Sequence, residues 1–142
     1  MPTEPSPPPQ PQPDATAFKS RDGIARVLNA MRYSLAGLRA ALRHEAAFRQ
    51  ELALGLPLIL LAPFLAPGRW QLLVMVASVV AVLIVELMNS AIEALADAIS
   101  LEDQALLGRA KDLGSAAVML ALLGVPFTWG LVLLPNYWPR FG

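Results

Sequence analysis

From Ile24 to Leu42 the apolar residues Ile24, Val27, Leu28, Met31, Leu35, Leu38 and Leu42 recur at helical spacing. At about 100° per residue they fall within a stripe roughly 100° wide. Arg26, Arg32, Arg39 and Arg43 lie off that stripe. The pattern predicts an amphipathic helix over about 22–43. Three long apolar stretches follow, over about 46–66, 70–98 and 110–134. The first has a charge-free part, Leu52 to Gly68, that is short for a bilayer needing about 20 residues. Ala46, Ala47 and Phe48 extend it, and Pro57 and Pro63 are expected to bend it. The breaker Ala66-Pro67-Gly68-Arg69 ends it. The second starts at Trp70, an aromatic suited to an interface, stays apolar to Val85, and then carries acids through Asp97. A polar link, Ser100 to Gly108, leads to the third, which stops at Pro135-Asn136-Tyr137-Trp138.

These elements predict an all-α integral membrane protein, with an N-terminal amphipathic surface helix followed by three transmembrane helices. A basic amphipathic helix beside membrane spans lies in the interface. Composition agrees: 56% of the chain is hydrophobic and 15% charged, against about a quarter charged in soluble domains. The absence of cysteine excludes disulfides, zinc–thiolate sites and thiol nucleophiles. Residues 1–17 read as a disordered Pro/Gln-rich tail, and residues 18–142 as one membrane domain. Net charge is zero, so bulk charge selects no partner, and none is expected among nucleic acids. The placement of charge says more. Lys19, Arg21, Arg26, Arg32, Arg39, Arg43 and Arg49 precede the bulk of the first span, and Arg109 and Lys111 lie between the second and third. Arg69 and Arg140 lie on the other side. The positive-inside rule therefore predicts a cytoplasmic N-terminus.

Candidate chemistry sits on the second span. Glu86, Asn89, Ser90, Glu93 and Asp97 are offset by 3, 4, 7 and 11 residues, which returns them to one face within about 100°. Acids inside a membrane helix are costly and usually functional. Asp97 reads equally well as a solvated helix end. Glu86, in Val-Glu-Leu-Met beside a long apolar run, does not. It lies 16 residues from Trp70, roughly 24 Å along the helix, in a hydrocarbon layer about 30 Å thick. Glu93 falls about 10 Å farther on. His44-Glu45 and Arg49-Gln50-Glu51 mark the entry to the first span, and Arg109, Lys111 and Asp112 the entry to the third. Glu45, Glu86, Glu93 and Lys111 are therefore expected to share one site. Carboxylates suit Mg²⁺, a basic side chain neutralises phosphate, and a carboxylate can take a hydroxyl proton. Those are parts that phosphoryl transfer uses. Spacing and composition by themselves reach an interfacial acid/base cluster and stop there. His44, the one histidine, reads as an interfacial hydrogen-bonding group, and Trp129 as packing. Gly114, Gly124 and Gly130 read as positions of close helix approach.

Three segments carry a resemblance: Glu45-Ala-Ala-Phe-Arg-Gln-Glu51, Val85-Glu-Leu-Met-Asn-Ser-Ala-Ile-Glu-Ala94, and Gly108-Arg-Ala-Lys-Asp-Leu-Gly-Ser-Ala-Ala-Val118. With Arg26, Tyr33-Ser34 and Gly37-Leu38-Arg39-Ala40-Ala41, they make the chain similar to the prokaryotic diacylglycerol kinases over about residues 18–135. The resemblance implies a homotrimeric bundle in the bacterial inner membrane, with sites shared between subunits. It implies transfer of the ATP γ-phosphate to the primary hydroxyl of diacylglycerol, giving phosphatidate for phospholipid recycling. Glu86 would be the catalytic base, and Glu45 and Glu93 would bind the Mg²⁺ carried with ATP. Arg26, Tyr33, Glu102, Asp103, Gln104, Lys111 and Asp112 would also contact the nucleotide. Arg26, Arg39, Ala47, Phe48, Arg49, Gln50, Glu51, Glu86, Asn89 and Ser115 would line the lipid-substrate site. The chain departs from the family at Leu35-Ala36, where Trp-Lys is common, and at Arg32, where a small residue is usual. Glu102-Asp103-Gln104 falls in a variable segment. Two other readings stand beside this one. An undecaprenol kinase of the same superfamily would use another lipid alcohol, but Asn89-Ser90 and Lys111-Asp-Leu-Gly-Ser-Ala favour the diacylglycerol branch. A non-enzymatic scaffold or small transporter would use the acid stripe as an ion path.

Overall fold

The computed structural model describes residues 23–99 and 105–137. The Pro-rich tail, Glu102, Asp103, Gln104, Trp138 and Arg140 lie outside the described residues. Four helices follow in order: α1 (Gly23–His44), α2 (Ala46–Leu65), α3 (Arg69–Ile99) and α4 (Ala105–Tyr137). The described residues contain no strand. The last three helices are long and apolar enough to cross a membrane.

The chain divides between Gly37 and Leu38 into two compact units. The first holds most of α1. There the stripe residues Val27, Leu28 and Met31 are 55–59% exposed, as an apolar face destined for an interface requires. The second unit holds the end of α1 with α2, α3 and α4. Its helices pack α2 on α3 and α3 on α4, so α3 is the central element.

Helix α2 is continuous through Pro57 and Pro63. Proline removes one backbone donor, and neighbouring groups in a membrane bundle can absorb that loss. Helix α4 begins at Ala105, five residues before the apolar run was expected to turn helical. Two residues past that extra turn, the ion pair of Lys111 Nζ with Asp97 Oδ1, 2.5 Å apart, ties the start of α4 to the end of α3.

The apolar core sits at one end of the three-helix unit. Ala62, Met75, Val79 and Trp129 form it, with Leu58, Ile59, Leu72 and Val125 packed against them. The Trp129 indole N–H donates to the Met75 carbonyl at 3.3 Å, which satisfies its one polar atom. Trp129 is thus a packing residue, as its sequence position implied. Gly55 admits α3 closely: a Cβ there would lie 2.8 Å from Val79 Cγ1. Met75 is 0% exposed. Met75→Ala is therefore expected to cost about 2–5 kcal/mol, the usual range for emptying a packed site. Equilibrium unfolding in mixed micelles would measure it.

Candidate active site

The opposite end of the same unit is polar. Helix α2 runs away from it, α3 returns, and α4 runs away again, so the N-termini of α2 and α4 meet the C-terminal half of α3. A cavity of about 490 Å³ opens there. Each helix lines it with a stripe at helical spacing. From the start of α2 come Glu45, Ala47, Gln50, Glu51 and Leu54; from α3, Glu86, Asn89 and Glu93; from α4, Ser115, Val118 and Leu122.

Four carboxylates therefore share one cavity. Glu86 is 3% exposed and lies within electrostatic range of both Glu93 and Glu45. Glu51 in turn feels the charge of Glu86. Like charges gathered in a low-dielectric wall repel, and the cost is tolerated where a cation is to be received. Glu45 is the N-cap of α2 but makes no side-chain cap hydrogen bond, which leaves its carboxylate for the cavity. Asn89 Nδ2 donates to Glu93 Oε1 at 2.9 Å and fixes that side chain. Glu51 Oε2 and Asn89 Oδ1, both of cavity-lining residues, are buried without hydrogen-bond partners. Each such atom costs about 1–3 kcal/mol, so the site carries unmet polar capacity.

Among the described residues, no group of three or more His, Cys, Asp or Glu could hold a metal ion by itself. Magnesium does not need one. It keeps waters and binds through one or two carboxylates plus substrate phosphates. Glu45 and Glu93, both on the cavity wall, have the chemistry that such a donor set requires.

Of the fifteen described residues singled out from sequence, the structure gathers eight in the cavity. Glu45, Ala47, Gln50, Glu51, Glu86, Asn89, Glu93 and Ser115 line the cavity together. Phe48 does not; it is 2% exposed and packed inside the bundle. Arg49 turns away to donate to the carbonyls of Leu42 and Arg43 at 3.5 and 3.3 Å. It thereby satisfies the end of α1, a common use of a basic side chain at a helix C-terminus. Lys111 does not line the cavity, and its ammonium meets Asp97 instead. Arg39 and Asp112 are exposed. Arg26 and Tyr33 belong to the first unit, where Asn29, Arg32, Tyr33 and Ala36 line a smaller hollow. Leu54, Val118 and Leu122 were not anticipated from sequence. Their signal was available: Leu54 lies seven residues after Ala47, and Val118 and Leu122 lie three and seven after Ser115, the spacings of one helix face.

The chain as a whole is similar to known proteins. The family model of the prokaryotic diacylglycerol kinases matches residues 32–133. A diacylglycerol kinase of Pseudomonas aeruginosa is 50% identical over 117 residues, covering 82% of this chain and 95% of that protein. One of Escherichia coli is 44% identical over 120 residues, covering 84% and 95%. One of Helicobacter pylori is 39% identical over 117 residues, covering 81% and 90%. The whole cavity lining, from Glu45 to Leu122, lies within the residues that the family model matches, and the chain belongs to the prokaryotic diacylglycerol kinase family.

Proposed function

We propose that this chain transfers the γ-phosphate of ATP to the primary hydroxyl of diacylglycerol in the bacterial inner membrane, giving phosphatidate. The observation that carries the reading is the single cavity joining buried Glu86 to Glu45 and Glu93 at one end of a three-span bundle. A lipid hydroxyl approaches Glu86 from the hydrocarbon side. The nucleotide approaches Glu93 and Glu45 from the aqueous side. Glu86 accepts the hydroxyl proton; the freed oxygen bonds to the γ-phosphorus while the bond to the bridging oxygen breaks, and ADP leaves. Mg²⁺, when bound, neutralises phosphate charge. Asn89 holds Glu93 in place, and Gln50, Glu51 and Ser115 bring polar groups to the lipid's glycerol end. Arg26, Tyr33, Lys111, Asp112 and residues 102–104 serve the nucleotide and Arg39 the lipid side, whereas Phe48, packed in the bundle, and Arg49, bonded to the end of α1, act by holding the start of α2 in place. The working assembly is a homotrimer with sites shared between subunits, and the N-terminus is cytoplasmic, as the basic residues before α2 favour.

A transporter would need a polar path through the bilayer. Here the acids stop at one end, and the other end is the apolar cluster around Met75 and Trp129. The lipid alcohol is settled by presenting diacylglycerol and undecaprenol in parallel mixed micelles with labelled ATP, with and without Mg²⁺. Mg²⁺-dependent labelling of diacylglycerol is the expected result. Preferential labelling of undecaprenol would transfer the assignment to the other branch, and labelling of neither would remove the kinase reading.

A further inference from the structure

The acid cavity and the α3–α4 interface meet at Asn89. Its side chain is 8% exposed. One end of the carboxamide, Nδ2, donates to Glu93 Oε1 at 2.9 Å. The other end, Oδ1, is buried with no hydrogen-bond partner. The reverse orientation would set the amide oxygen against a carboxylate oxygen, so the chemistry admits one assignment. What holds the amide there is an absence on α4. A Cβ built at Gly114 would run into Asn89 Oδ1, and would also lie 3.3 Å from its Cγ. The amide therefore occupies the space a side chain at Gly114 would take. The other glycines of α4 are different: Gly124 has nothing within 4 Å of such a Cβ, and Gly130 meets only Leu134 of its own helix, at 3.9 Å.

We propose that Gly114 is a positioning residue for Glu93, acting through Asn89. The bare backbone at Gly114 admits the carboxamide, the carboxamide gives its N–H to Glu93, and Glu93 presents its remaining lone pairs toward the cavity. The inference rests on the reading of Glu93 as a carboxylate that receives the divalent cation of the nucleotide complex. Outer-shell partners that orient a ligand change metal affinity by about 10–100-fold.

The test uses the full chain in mixed micelles, with Mn²⁺ and a non-hydrolysable ATP analogue, and reads bound Mn²⁺ by electron paramagnetic resonance. No turnover is involved. Gly114→Ala is expected to weaken Mn²⁺–nucleotide binding by about 10–100-fold, while Gly124→Ala leaves it unchanged. Glu93→Gln also weakens binding, and adding Gly114→Ala to it produces little further loss, because two residues acting through one carboxylate are not additive. A merely structural glycine would give additive losses, and that result would overturn the proposal. Wild-type binding in Gly114→Ala alongside weak binding in Glu93→Gln would overturn the positioning role alone. Wild-type binding in Glu93→Gln would overturn the metal reading on which it rests. If Gly114→Ala fails to fold, Asn89→Ser removes the amide without adding bulk; tight binding in that variant would equally overturn the link.

Discussion

Glu86→Gln is expected to lower kcat by about 10²–10⁴-fold, the range that a positioned general base supplies, while the protein still folds and binds nucleotide. Glutamine keeps the volume and removes the ability to take a proton. The carboxylate it replaces is 3% exposed and faces the charges of Glu93 and Glu45. Removing a buried charge from among like charges relieves repulsion, so the variant should be at least as stable as the parent. Function and stability therefore move in opposite directions, a familiar signature of a strained catalytic group. Labelled phosphate transfer and micellar unfolding, measured on the same preparation, check both halves. A variant that is inactive because it is unfolded would not support the assignment, and an active one would remove Glu86 from the base role.

The second large effect is of a different kind. Glu45→Gln and Glu93→Gln each remove one carboxylate of the pair assigned to the metal–nucleotide complex. Each should raise the Mg²⁺ concentration needed for half-maximal rate by more than the roughly 10–100-fold cost of losing an outer-shell partner. Excess Mg²⁺ should restore much of the rate in these variants and none of it in Glu86→Gln. A metal titration of the three variants side by side thus separates a binding carboxylate from a proton acceptor. If excess Mg²⁺ rescued all three alike, the division of labour within the cavity would be wrong.

The fold was legible because lipid imposes a simple rule: backbone groups must be satisfied within the helix, so long apolar runs become spans. The α3 stripe was legible for a related reason. Glu86, Asn89 and Glu93 stand out against apolar neighbours, and their spacing puts them on one face. What the sequence could not supply was the rotation of one helix against another. Lys111 follows the polar link and belongs to the same membrane level as Glu93, yet its ammonium meets Asp97 and stays out of the cavity lining. Phe48 and Arg49 sit between two cavity residues in sequence, but successive positions on a helix point about 100° apart. One is buried in packing and the other reaches back to α1. The glycines make the same point. Gly114 and Gly124 look alike in sequence, and both were expected at close approaches. Gly114 lies against Asn89 and Gly124 against nothing, whereas Gly55, not singled out, lies against Val79.

Because the chain has no cysteine, one introduced thiol carries one label, which allows a direct distance test. A nitroxide at Leu122→Cys sits on the cavity wall. One at Phe64→Cys sits on an exposed position 19 residues beyond Glu45, about 28 Å along α2. With Mn²⁺ and a non-hydrolysable ATP analogue bound, the label at position 122 should show strong paramagnetic relaxation and the label at 64 much weaker relaxation. Glu93→Gln should diminish the first signal. Equal relaxation at both positions, or relaxation at 122 untouched by Glu93→Gln, would mean that the nucleotide's metal does not enter the cavity between α2, α3 and α4.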